Sequence, residues 1–131
     1  MDSSAIDPQE VQKCLNLDFD RLRALTGDDD EFVMEIIEII IEQTPPLLED
    51  FNHLLASEDF NAFGAAAHKY KSSINILGNQ NLIDLMKYME IESADKQNLE
   101  AMNRLLAIFD GVSKGLISIL QNEFDRIQAT M

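Results

Sequence analysis

The chain has 131 residues, enough to bury one helical core without disulfide or metal staples, so a single domain is expected. Its 24 acidic against 10 basic residues give a formal charge of -14, which repels nucleic-acid phosphates and anionic lipid surfaces and argues against both as partners. The longest apolar run is cut by charges, as in IIEIIIEQ, and the first residues lack the basic-then-apolar order of a signal peptide, so a cytoplasmic protein is expected.

Helix-favouring residues dominate, tryptophan is absent, only five glycines and three prolines occur, and strand-like alternation is scarce, so the chain reads as all-α. Asp7 before Pro8 reads as an N-cap with proline at the first helical position, opening a short helix through about Leu15. Cys14, the one cysteine, excludes an internal disulfide and reads as a small helix residue. A second short helix spans Phe19 to Leu25, with Gly27 placed for a left-handed C-terminal turn. Asp28 with Glu31 forms a capping-box-like start, and Phe32, Val33, Ile36, Ile37, Ile40 and Ile41 then recur at helical spacing. Pro45 and Pro46 remove two backbone donors and predict a kink before the helix resumes through Leu48, Phe51 and Leu55.

Asp59 is placed to cap the next helix, whose apolar line is Phe60, Phe63, Ala67, Tyr70, Ile74 and Leu77, ending at Gly78. Asn79 caps a stretch through about Ala94 with Leu82, Leu85, Met86 and Met89 on one side. The last helix runs from about Gln97 towards Ile127, with Leu105, Ile108, Val112, Leu116, Ile119 and Leu120 inward and Gly111 and Gly115 weakening it slightly. The expected fold is an up-down four-helix bundle over residues 28–131, with residues 1–27 forming short cap helices across one end of the same domain.

On a helical wheel His68 falls roughly 130° from the centre of its helix's apolar line, pointing to solvent. Its neighbours on that face are Asn61, Gly64, Ala65, Lys71, Ser72 and Asn75, small or polar apart from the lysine. From Asn61 through Ile83 there is no Asp or Glu, a gap that chance gives at a chosen place with a probability of roughly one per cent. An otherwise acidic chain thus keeps a neutral-to-positive patch, with Lys69 and Lys71, that suits a bound dianion. Small residues there equally suit close helix packing.

Enzyme readings find little support: a kinase or phosphatase would need a glycine-rich phosphate loop or nucleotide signature, and none occurs. A metal bundle asks for repeated Glu-x-x-His pairs, and only Asp50 with His53 remotely fits, so no metal is expected. Glu35, Glu38 and Glu42 read as the wet side of an isoleucine-rich helix.

The segment AHKYKSSINILG, Ala67 to Gly78, resembles the histidine-containing phosphotransfer (HPt) domain family. That family's pattern is similar to Ala-His-x-Leu-Lys-Gly-Ser, followed by a glycine ten positions after the histidine. His68, Lys71, Ser73 and Gly78 match it, Leu82 and Leu85 follow, and Met89-Glu90 stands where a closing pair belongs. Upstream, LDFDRLRALTGDDDEFVMEIIEIIIEQTPPLLEDF looks like the family's opening, so the resemblance covers nearly the whole chain. Two positions depart from the pattern: Ser72 replaces the usual glycine and Tyr70 the usual leucine.

The resemblance implies a phosphoryl carrier, without kinase activity of its own, in a multistep two-component phosphorelay. His68 would exchange a phosphoryl group with the aspartate of response regulator receiver domains, and a hybrid sensor histidine kinase is a further implied partner. Mg²⁺ is expected on the receiver and no cofactor on this chain, which the resemblance implies to be a monomer. Within that frame Lys71 neutralises phosphoryl oxygens, Glu90 accepts from the proximal ring nitrogen, and the distal nitrogen attacks. Ser72, Asn75 and Gly64 complete the binding face. The isoleucines from Ile36 to Ile41 cover a wider arc than a core stripe needs, so Ile37 and Ile41 are expected at an exposed edge that docks a receiver beside Lys71 and Ser72. The residues alone leave open a bundle that binds a partner without being phosphorylated.

Overall fold

The computed structural model describes residues 8–131 as six α-helices: α1 (Pro8–Cys14), α2 (Asp20–Leu25), α3 (Asp30–Ala56), α4 (Phe60–Ile74), α5 (Gln80–Glu90) and α6 (Leu99–Ala129). A 3-10 turn, Asn75–Leu77, follows α4, and a π-helical turn, Ile91–Asp95, follows α5. No strand occurs among the described residues, and no helix there is long and apolar enough to cross a membrane. Asp7, the expected cap of α1, lies outside the described residues.

Local chemistry starts the long helices. The side chain of Asp59 accepts from the Ala62 amide at 3.2 Å, that of Asn79 from Leu82 at 2.9 Å and that of Asn98 from Ala101 at 3.1 Å. Each satisfies one of the amides a helix start leaves without a partner. At α3 the cap is Asp29, which accepts from Phe32 at 3.3 Å, and not Asp28. Gly27 and Asp28 both take left-handed backbone angles, φ 67 and 59, so the turn out of α2 uses up Asp28 and hands the cap to the next aspartate. Arg23 holds that turn by bonding Asp28 and Asp30, each at 2.9 Å. Phe19 also differs from expectation: it stands outside α2 with φ 59.

Helix α3 is continuous through Pro45 and Pro46, whose missing amides are those that would bond the Ile41 and Glu42 carbonyls. Just before them Thr44 donates its hydroxyl to the Ile40 carbonyl at 2.7 Å and receives the Tyr70 hydroxyl at 2.7 Å, a buried tie between α3 and α4. Burial pushes the Tyr70 phenol up to about 12.

The four long helices pack in a closed order, α3 on α4, α4 on α5, α5 on α6 and α6 back on α3. Their centre is aromatic: Phe51 meets Phe63 at 4.7 Å and Phe109 at 5.6 Å, and Tyr70 meets Phe109 at 5.7 Å between centroids. Such pairs add about 0.5–1.5 kcal/mol each beyond area burial. Helix α1 lies on α6 and α5, while α2 lies on the 3-10 turn. Gly111 and Gly115 permit the first contact, since a Cβ at Gly115 would stand 2.5 Å from Leu15 Cδ1. The Asn79 amide nitrogen donates to the carbonyls of Lys13 and Asn16 at 2.8 and 3.2 Å, locking α1 to the turn before α5. Cys14 is buried under this cap, and burial pushes its thiol up to about 11.

The expected docking edge is corrected here. Ile37 is fully buried, because α3 packs against both α4 and α6 and so buries a wider arc than one partner requires. Ile41 is partly buried and lines a groove of about 280 Å³ with Glu38, Glu42, Gln121 and Phe124, which puts it on the α6 side of α3. The large apolar side chains that α3 exposes are Phe32 and Ile39.

Candidate functional site

Helix α4 buries Phe63, Ala67, Tyr70 and Ile74, a spacing that turns position 68 outward. The His68 side chain is 62% exposed, and its Nδ1 lies 3.0 Å from Glu90 Oε1. Glu90 is the last residue of α5, and its other oxygen, Oε2, accepts from Lys71 Nζ at 3.1 Å. One carboxylate from α5 therefore bridges two side chains that stand nearly one turn apart on α4. An ionised carboxylate only accepts, so Nδ1 carries the hydrogen and Nε2 of the neutral ring keeps its lone pair. The charges in this triad are opposed: Lys71 offsets Glu90, and what faces an approaching anion is an imidazole edge beside an ammonium.

The other residues expected on this face divide. Ala65 and Ser72 are exposed beside His68, and Asn75 is exposed at the end of α4. The Ser72 hydroxyl turns back to the carbonyl of His68 at a long 3.5 Å, so it points along its own helix. Gly64 is not on the open face: it is buried, and a Cβ there would stand 3.0 Å from both Ala94 Cβ and Ser93 Oγ. Close helix packing explains it.

One neighbour of the site was not foreseen. A cleft of about 430 Å³ between α3 and α4 is lined by Gln43, Pro46, Leu47 and Asp50 on one side and Ala66, Lys69, Tyr70 and Ser73 on the other. Residues 43, 46/47 and 50 do share a helical face, but polar Gln43 and Asp50 and the two prolines hide it from an apolar pattern. His53 is exposed near the end of α3, outside this constellation. Among the described residues no group of three or more His, Cys, Asp or Glu side chains is arranged to hold a metal ion.

Comparison with known proteins assigns residues 35–130. No curated protein and no solved structure matches it significantly. Residues 35–130 match the family model of the Hpt domain, a span that contains α4, α5 and the His68, Lys71 and Glu90 side chains. An all-helical chain that carries this match over most of its length belongs to the Hpt domain family, whose members are phosphoryl carriers in phosphorelays.

Proposed function

We propose that this chain carries the phosphoryl group on Nε2 of His68, taking it from the aspartyl phosphate of one receiver domain and returning it to the aspartate of another. The observation that carries this reading is the Glu90 bridge, which holds Nδ1 as the donor and leaves Nε2 open on an exposed ring. In the transfer Nε2 forms a bond to phosphorus and the bond from phosphorus to the aspartyl oxygen breaks, the carboxylate leaving with the electron pair. No proton has to move. The imidazole gains positive charge that it shares with Nδ1–H, and the Glu90 carboxylate faces that charge. Lys71, 3.1 Å from Glu90 at rest, is within reach of phosphoryl oxygens as they arrive.

Transfer through a loose transition state asks for alignment and charge neutralisation more than for covalent help. The receiver is expected to supply Mg²⁺ and the in-line partner, and this chain a positioned nucleophile and one cation, in the cytoplasm and as a monomer. Incubation with a phosphorylated receiver domain, followed by mapping of the label, tests the reading. Acid-labile label on His68 is the expected result. A folded chain that binds the receiver and takes no label would overturn it in favour of a non-phosphorylated interaction module.

A further inference from the structure

We propose that Gly64 and Ser93 are positioning residues for the His68 site, acting through Glu90; the proposal rests on the phosphoryl-carrier reading for its kinetic consequence, though not for its structural one. Gly64 lies on α4 four residues before His68, one turn away and turned towards the end of α5. An interior helical glycine weakens a helix relative to alanine, so its presence asks for a reason. The reason is contact. A Cβ at position 64 would meet Ser93 Oγ and Ala94 Cβ at 3.0 Å and the Glu90 carbonyl oxygen at 3.6 Å. All three atoms belong to the end of α5 or to the π-helical turn that follows it.

That turn starts one residue after Glu90. Its ladder is shifted to i+5 bonding, as where the Lys96 amide donates to the Ile91 carbonyl at 3.1 Å. Ser93, fully buried, donates its hydroxyl to the carbonyls of Met89 at 2.7 Å and Glu90 at 3.1 Å. The side chain that rests on Gly64 is therefore the one that ties down the backbone of Glu90. Pressing α5 against α4 at Gly64 sets the distance between the helices one turn below His68, and that distance lets a single carboxylate span Nδ1 of His68 and Nζ of Lys71. A methyl group at position 64 pushes Ser93 away and carries Glu90 with it.

The consequence is a change in the tautomer of His68. With Glu90 in place the neutral ring holds its hydrogen on Nδ1; with Glu90 displaced the ring is free to place it on Nε2, the atom that has to attack. Ring ¹⁵N chemical shifts of the full chain, labelled at histidine, read this directly at a pH where His68 is neutral. Gly64→Ala is expected to move the His68 ring from the Nδ1–H form towards Nε2–H, and to slow acceptance from a phosphorylated receiver by about twofold. Ser93→Ala removes the hydroxyl ties without adding bulk, and is expected to shift the tautomer in the same direction by less. Should Gly64→Ala fail to fold, Ser93→Ala decides. Folded variants that keep the wild-type tautomer ratio would overturn the proposal while leaving His68 as the acceptor. Absence of label on the wild-type chain, with the tautomer shift present in the variants, would overturn the carrier reading and leave the positioning role standing.

Discussion

The molecule has two histidines on helix surfaces, and the regions around them are unlike. His53 sits in the last turn of α3, exposed, with Glu49 and Asp50 one turn before it. Its ring has no partner among the described residues, and an arriving phosphoryl group would meet two carboxylates. His68 is exposed too, but stands mid-helix in a stretch of chain without acids, and the one carboxylate that reaches it comes from another helix already offset by Lys71. Exposure is common to both sites. What separates them is an acceptor supplied across a helix–helix interface, which fixes the ring and frees one nitrogen, and a cation that stays close to it.

The sharpest test of this contrast exchanges each imidazole for an amide. His68→Gln is expected to lower acceptance by at least about 100-fold, since the nucleophile is gone, while His53→Gln accepts as the wild type does. Both should melt within about 0.5 kcal/mol of the wild type, because both side chains are exposed. Label retained by His68→Gln would move the acceptor elsewhere and erase the distinction.

Lys71→Ala probes the cation. A slowing of about tenfold, worth roughly 1.4 kcal/mol in the transition state, is expected in single-turnover transfer, reduced from what a buried donor would give because Lys71 is a quarter exposed. Wild-type rates would reduce Lys71 to a partner of Glu90. Glu90→Ala should cost less, about three- to fivefold, because water can replace the acceptor at Nδ1 and the freed lysine still serves the phosphoryl group. A larger loss than with Lys71→Ala would make the tautomer, and not the charge, the main device of the site.

The smallest effect on transfer is expected at the tie between the two histidine-bearing helices. Tyr70→Phe removes the hydroxyl that reaches Thr44, whose own hydrogen remains on Ile40, and should cost about 1 kcal/mol in denaturant unfolding with acceptance unchanged. Reduced acceptance at full folding would show that the α3–α4 contact also sets His68. The same tyrosine has a pH signature. Burial raises its folded pKa to about 12, above the ordinary value near 10, so its contribution is intact below pH 10 and falls away as pH rises towards 12. Comparison of unfolding curves with and without the hydroxyl across that window reads the difference.

Much of this was legible along the chain, for a local reason. Asp59, Asn79 and the glycine that ends the α4 turn act on amides and dihedral angles within four residues of themselves, and the apolar spacing of α4 turns His68 outward whatever lies beyond it. The family resemblance of Ala67 to Gly78 is equally a property of neighbouring residues, and the family match over residues 35–130 agrees with it. Where three aspartates stand together, periodicity could not choose the cap, because the choice lay in the left-handed angles at Gly27 and Asp28. The fate of Ile37 was decided by how many helices α3 touches, and that of Gly64 by which side of α4 the π turn approaches. Glu90 reaches His68 across 22 positions of chain at a distance of 3.0 Å. A helix wheel records the direction of each side chain, but the separation of two helices is set by every residue packed between them, and only the assembled bundle determines it.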